Sequence, residues 1–355
     1  MIWRVLLGIG AVGAAFLVFT PTGRYLVRGA YEEARILVRR QPIEKLVRDT
    51  TVDEATRAKL RLVLEARQYA VDSIRLRAKK SFTKYTELDN DTLVLVLSVA
   101  YRDRLALKTW SWPIVGTVPY KGFFNFDAAR KEQAKYERDG FDTDLRPSAA
   151  FSTLGWFNDP LLSTTLRADS TWLVETVIHE LLHNTVWIKD DVTFNESFAS
   201  FVGRHGAASF FRARGDSTLI ARMQRARETS RALAVFYAHV YAELDSAFKA
   251  LPGDSARDAR IAARDSIFVS ARHRLATVVA PSLGVTDTTW AHRVRLNIAT
   301  VLARRVYREE VDGFERILGE QGGDLRRAIE RIGEVARAAP KGRALDAFIS
   351  SSRFP

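Results

Sequence analysis

The sequence predicts an α+β fold, mostly α-helical, and three observations carry that prediction. From about residue 169 onward the chain reads almost wholly as helix, interrupted by Pro252-Gly253 and by the 281–284 stretch with its proline and glycine. Residues 92–101 are apolar and rich in Val and Leu, the composition of a buried strand. Residues 110–124 alternate aromatics with Pro113, Gly116, Pro119 and Gly122, which reads as short strands joined by turns.

The elements follow in order. Residues 31–40 and 52–79 read as charged helices, and Asp49 and Asp53 offer caps for the second. A strand over 92–101 and the broken strands of 110–124 make a small sheet, followed by a helix over 127–140 and a segment, 147–160, that is mostly loop. A buried helix over 171–189 carries two histidines; the turn at Lys189-Asp190-Asp191 leads to a second helix over 193–214, closed by Gly215. Further helices are expected over 218–250, 256–279 and 289–321, and a last one from Gly323-Asp324 to Pro340. The expected organisation is an N-terminal segment, 1–20, ahead of one domain over 21–355. That domain has a helical part (21–90), a part of small sheet and loops (91–165) and a helical part bearing the histidines (166–355).

Composition narrows the function. The chain has 355 residues and no cysteine, which excludes a disulfide framework, thiolate chemistry and thiolate metal ligands. Its net charge of +12 comes mainly from arginines scattered among acids on helix faces. No basic run is interleaved with aromatics, so no nucleic-acid partner is expected. After Arg4 an uncharged apolar run of about 15 residues ends at Pro21, the pattern of a signal anchor or a cleaved signal. The expectation is a membrane-anchored protein with its catalytic part outside the cytoplasm, or one secreted after signal cleavage. Arg24, Arg28, Arg35, Arg39 and Arg40 just downstream run against the positive-inside rule for that orientation.

His179-Glu180-Leu181-Leu182-His183 carries the chemistry. Two imidazoles four residues apart project one turn above the other from one helix face. They supply two neutral nitrogen ligands to Zn2+, with Glu180 beside them as proton acceptor. A catalytic zinc takes a third protein ligand. Glu196, in the first turn of the next helix, faces the pair if that helix folds back; Asp190 and Asp191 compete from the turn. The apolar flanks Trp172, Leu173, Val177, Ile178, Leu181, Leu182 and Val186 bury the helix, and a cation offsets the cost of placing Glu180 between two histidines there. Glu175 lies one turn before His179 and could orient it, or could be a solvated carboxylate. Asn195 could cap the second helix, support a ligand or touch substrate. Tyr237, His239, Tyr241 and Tyr307 are candidates for stabilising a tetrahedral oxyanion, or plain core-edge residues. Tyr120 and the Gly155-Trp156 loop could line a cleft, and Asp159-Pro160 marks a turn.

These residues resemble a known family. Residues 177–187 with 194–202 are similar to the metal-site blocks of the bacterial predicted aminopeptidases. Residues 110–113 with 119–124, residues 152–163, Leu296-Asn297-Ile298-Ala299 and Gly322-Gly323-Asp324-Leu325 are similar to other blocks of that family, so the resemblance spans about 25–335. It implies a gluzincin-like site with His179, His183 and Glu196 as zinc ligands and Glu180 as base. It also implies peptidase activity on peptides. The fold expected is a zincin-like helix packed against a second ligand-bearing helix, with the small sheet of residues 92–155 beside them. The lipoprotein cysteine of many members is missing here. The function expected is a zinc metallopeptidase, an aminopeptidase. The alternatives are a zinc hydrolase of another amide, or a non-catalytic envelope binding or scaffold protein retaining the motif.

Overall fold

The computed structural model describes residues 20–112, 116–148, 160–285, 287, 289–305 and 311–349, together with Trp3, Gly8, Ala15, Val18 and Phe19. It is mostly helical with small sheets, as an α+β reading expects. The elements are α1 (Pro21–Val38), β1 (Gln41–Pro42), α2 (Ile43–Arg48), α3 (Glu54–Asp72), β2 (Lys84–Thr86), β3 (Val94–Ala100), β4 (Trp110–Trp112), β5 (Gly116–Val118) and β6 (Lys121–Phe123). Next come α4 (Phe126–Arg138), β7 (Asp142–Ser148), β8 (Leu161–Leu162), the short α5 (Ser163–Leu166), α6 (Ser170–His183), α7 (Val192–Ala213) and α8 (Ser217–Lys249). The remainder is α9 (Arg257–Arg274) with a π-helical extension Leu275–Val279, α10 (Ala280–Ser282), α11 (Thr289–Arg293), α12 (Ile298–Arg305), α13 (Asp312–Glu320), α14 (Leu325–Ala338) and a 3-10 turn Leu345–Phe348.

Two apolar cores organise these pieces. The larger gathers Leu60 and Val63 of α3, Leu173, Val177, Ile178 and Leu181 of α6, Phe194, Phe198 and Phe201 of α7, Phe314 of α13 and Ile329 and Ile332 of α14. The second gathers Phe236, Tyr237, Val240 and Leu244 of α8 with Phe268 of α9 and Ile298 and Val301 of α12. The antiparallel sheet β6-β3-β7 pairs Leu97 with Lys121 on one side and with Leu145 on the other. It packs on α4 and α12. Asp142 at the start of β7 joins it to the second core: its buried carboxylate accepts hydrogen bonds from Arg264 and, at 2.9 Å, from the Ile298 N–H. Strands near the histidine helix come instead from the sheet β1-β2-β8, whose Tyr85 and Leu161 lie in the larger core.

Several boundaries move from their expected places for identifiable reasons. The helix expected to run to residue 189 stops at His183. The Thr185 hydroxyl donates to the Leu181 carbonyl at 2.9 Å, and the Thr185 and Val186 N–H groups donate to the Leu182 carbonyl at 2.7 and 2.8 Å, so its last acceptors are satisfied by residues past the helix end; the Arg77 guanidinium holds the Thr185 carbonyl beyond it. The helix expected over 289–321 is broken: Asn297 accepts the Thr300 N–H at 2.9 Å and starts α12 anew, and α13 begins only after Val311, which is extended. By contrast, Asp53 caps α3 through the Thr56 N–H at 2.9 Å, as its position suggests.

The membrane expectation is corrected. No helix among the described residues is long and apolar enough to cross a membrane, so neither a transmembrane anchor nor a membrane-attached location stands. Most of the apolar run before residue 20 lies outside the described residues. The helix that follows, α1, carries charge on every turn, at Arg24, at Arg28, and at Glu32, Glu33 and Arg35 together, which is costly in a bilayer core.

Candidate metal centre

The two helices of the centre form for local reasons and meet because of their surfaces. Asp169 caps α6 by accepting the Thr171 N–H at 2.8 Å. Leu173, Val174, Val177, Ile178, Leu181 and Leu182 then form its buried stripe. Trp172 does not join that stripe; it is 43% exposed. Helix α7 runs back antiparallel along α6. Glu196 stands opposite His179 and His183, while Gly203, two turns later, abuts Glu175 and His179.

The junction between the helices is pinned at three points. Asp191 is buried and caps α7, its Oδ1 accepting the Phe194 N–H at 3.0 Å. Its Oδ2 accepts the Ala344 N–H at 2.7 Å, which ties the C-terminal segment to the turn. Asn195 is neither the cap nor exposed. Its amide pairs with both backbone groups of Ile188, accepting from N–H at 2.8 Å and donating to C=O at 2.7 Å. Asp190 sits at φ +63°, exposed, with its carboxylate 2.9 Å from Lys341. Both aspartates of the turn therefore have other partners.

These clamps predict that Asn195→Ala loses about 1–3 kcal/mol of stability, since it leaves a half-buried backbone N–H and C=O without their side-chain partner. Asn195→Asp keeps the acceptor but sets a carboxylate against the Ile188 carbonyl, so it is expected to be no better. Urea unfolding of both variants measures this; a change below about 0.5 kcal/mol would remove Asn195 from the clamp.

The donor atoms converge. His179 Nε2 lies 3.4 Å from Glu196 Oε2, and His183 Nε2 lies 3.6 Å from Glu196 Oε1. One atom from each of the three side chains falls within 4.8 Å of the others. A tetrahedral ion with bonds of about 2.0–2.1 Å has ligand-to-ligand edges of about 3.4 Å. The spacing and the mixed nitrogen and oxygen donor set therefore fit a zinc-sized ion. The side chains keep 18%, 18% and 28% of their exposure, so the cluster is open on one side.

Their electrostatics are coupled. Burial alone would depress His179, but its hydrogen bond to Glu196 and the charges of Glu180, Glu196 and Glu175 outweigh that and raise its pKa. Burial, then the neighbouring His179, lowers the His183 pKa to about 4. Burial would raise Glu196; the hydrogen bond from His179 and the two imidazoles hold it below the usual carboxylate value. His183 is thus neutral and Glu196 anionic near neutral pH, the forms a metal requires. Glu180 sits next to His179 in sequence, partly exposed, and its charge acts on that ring.

Other residues singled out from the sequence lie elsewhere. Tyr237 is buried in the second core, 5.8 Å from the Arg304 guanidinium, and burial raises its pKa. Tyr241 packs on the edge of that core, and His239 is exposed on the same helix. Tyr120 is exposed in the turn before β6. Tyr307, Gly155-Trp156 and Asp159 lie outside the described residues. Sequence reasoning missed Gly203 and Gly206. Two glycines three apart inside an apolar helix are a signal of close helix contact, and Gly203 follows Glu196 by seven residues, on the same face.

Two antiparallel helices that bring two imidazoles and a carboxylate together, beside a further glutamate, define a candidate metal-ligating centre. Residues 24–345 match the model of the family described as Putative aminopeptidase, and the chain belongs to that family. Membership points to peptidase function and a peptide substrate. No curated protein and no solved structure matches the chain.

Proposed function

We propose that this protein is a zinc-dependent metallopeptidase of the gluzincin kind, acting as an aminopeptidase. His179, His183 and Glu196 would hold the ion. The observation that carries the reading is the spacing of their donor atoms at the edges of a tetrahedron, with the Glu180 carboxylate on the next residue of the same helix. When bound, zinc would supply a Lewis acid for the scissile carbonyl and draw the pKa of a coordinated water towards ~7. Glu180 accepts the proton of the attacking water and hands it to the departing amine. Glu175 adds negative charge beside His179 and keeps that imidazole basic. Asn195 and Asp191 hold the turn, and so fix Glu196 relative to the histidines.

Metal analysis of the purified protein against Glu196→Ala tests the ligand set. The wild type is expected to carry about one zinc per chain, and the variant to bind it about 100-fold more weakly. Unchanged zinc content in the variant would sink Glu196 as the third ligand.

A further inference from the structure

Among the described residues, Trp187 is a large aromatic that packs directly on the metal centre. Its ring meets the His183 ring edge to face, with centroids 5.4 Å apart and planes at 74°. It is nevertheless 54% exposed, whereas its neighbour Val186 is buried at 7%. The exposure is not slack in a loose loop. Two residues earlier, the Thr185 hydroxyl accepts the Arg77 N–H at 2.9 Å and donates to the Leu181 carbonyl. One residue later, Ile188 is held at both backbone groups by Asn195. The indole thus stands on a backbone pinned on both sides, with one edge against a candidate ligand and the rest turned to solvent.

A rigid aromatic left open to water beside a reaction centre loses little conformational freedom when it binds and gains by covering apolar surface. We propose that Trp187 is a specificity-determining residue, forming the apolar wall of the subsite that takes a side chain next to the scissile bond. The substrate class it selects is peptides with a large apolar or aromatic residue at that bond. The proposal rests on the peptidase reading and sharpens it. Because the ring touches His183, any group engaged by the centre lies within a side chain's reach of the indole. Trp172, also exposed, stands two turns before His179 on the same helix face, too far along α6 to serve the same position.

The test compares wild type, Trp187→Ala and Trp187→Phe on dipeptides Xaa-Ala and Ala-Xaa, with Xaa as Phe, Leu, Ala or Gly, and with zinc content measured for each. For Trp187→Ala, kcat/KM is expected to fall about 10- to 100-fold for Phe or Leu on one side of the bond. For Ala and Gly it should change less than about 3-fold, and Trp187→Phe should retain most of the preference. A uniform fall across all substrates would make Trp187 only a support for His183 and overturn the proposal, as would no change for any. If the wild type cleaves no peptide, the peptidase reading fails on its own. The subsite is then judged by calorimetry of phenylalanine hydroxamate against acetohydroxamate on the zinc-loaded protein. The wild type should prefer the former by about 10-fold or more, and Trp187→Ala should lose that preference; an equal preference in both proteins would overturn it.

Discussion

Glu180→Gln is expected to lower kcat by about 1,000-fold while leaving zinc bound, the size of effect a general base contributes. Glutamine has nearly the same volume and can still accept a hydrogen bond, but it cannot take a proton at neutral pH. The substituted group is not one of the three side chains whose donor atoms converge, so metal content should stay near that of the wild type. KM should change little, because the proton is taken only as the water attacks. The charge of Glu180 also helps to raise the His179 pKa, so its loss should make that imidazole easier to deprotonate, and metal uptake at mildly acid pH should improve slightly. Steady-state kinetics beside metal analysis check both halves. Hydrolysis that persists within about 3-fold of wild type, with zinc retained, would mean that Glu180 is not the base.

The candidate metal-binding triad is legible in the sequence because its constraints are mostly local. Spacing of four on a helix fixes the relation of His179 to His183 whatever surrounds them. Glu196 needed one further step, a turn short enough to fold the next helix back. The features that make that turn rigid could not be read the same way. Asp191 works through Ala344, more than 150 residues along the chain, and the Arg77 side chain holds the Thr185 carbonyl just past α6 from another part of the fold. Those partners are set by tertiary packing and leave no periodic trace. The tyrosines went the other way. Tyr237 and Tyr241 have the chemistry for an oxyanion donor, but α8 turns them into the second core, where Phe236, Phe268 and Ile298 gather. Residue type suggested a role that only position could grant. The membrane expectation failed on the residues that are described: none of their helices is long and apolar enough to cross a membrane, and α1, which follows the apolar run, is charged on every turn.

Gly203→Val is expected to cost about 3 kcal/mol of stability and to abolish stoichiometric zinc binding, although Gly203 ligates nothing. The reason is the closeness of α6 and α7. A Cβ on Gly203 would stand 2.9 Å from the Glu175 carbonyl oxygen and 3.2 Å from His179 Cβ. The first of these is backbone inside a helix, which cannot swing aside, so α7 itself must move away. Glu196 lies seven residues earlier on that helix, and ligand positions tolerate errors of only about 0.2 Å. Gly206 offers a graded comparison: its Cβ would meet Ile178 and Ile74 methyl groups at 2.9 Å, and these can rotate. Gly206→Ala should therefore weaken zinc less than Gly203→Ala does. Gly319 supplies the control. It is also helical, in α13, but a Cβ there would meet nothing within 4 Å. Gly319→Ala should stabilise the protein by about 0.5–1 kcal/mol, through helix propensity and a less disordered unfolded chain. Thermal unfolding of all four variants, with and without zinc, separates the effects. A wild-type shift on zinc addition in Gly203→Val would show that the ligand helices need not pack so closely for the ion to bind.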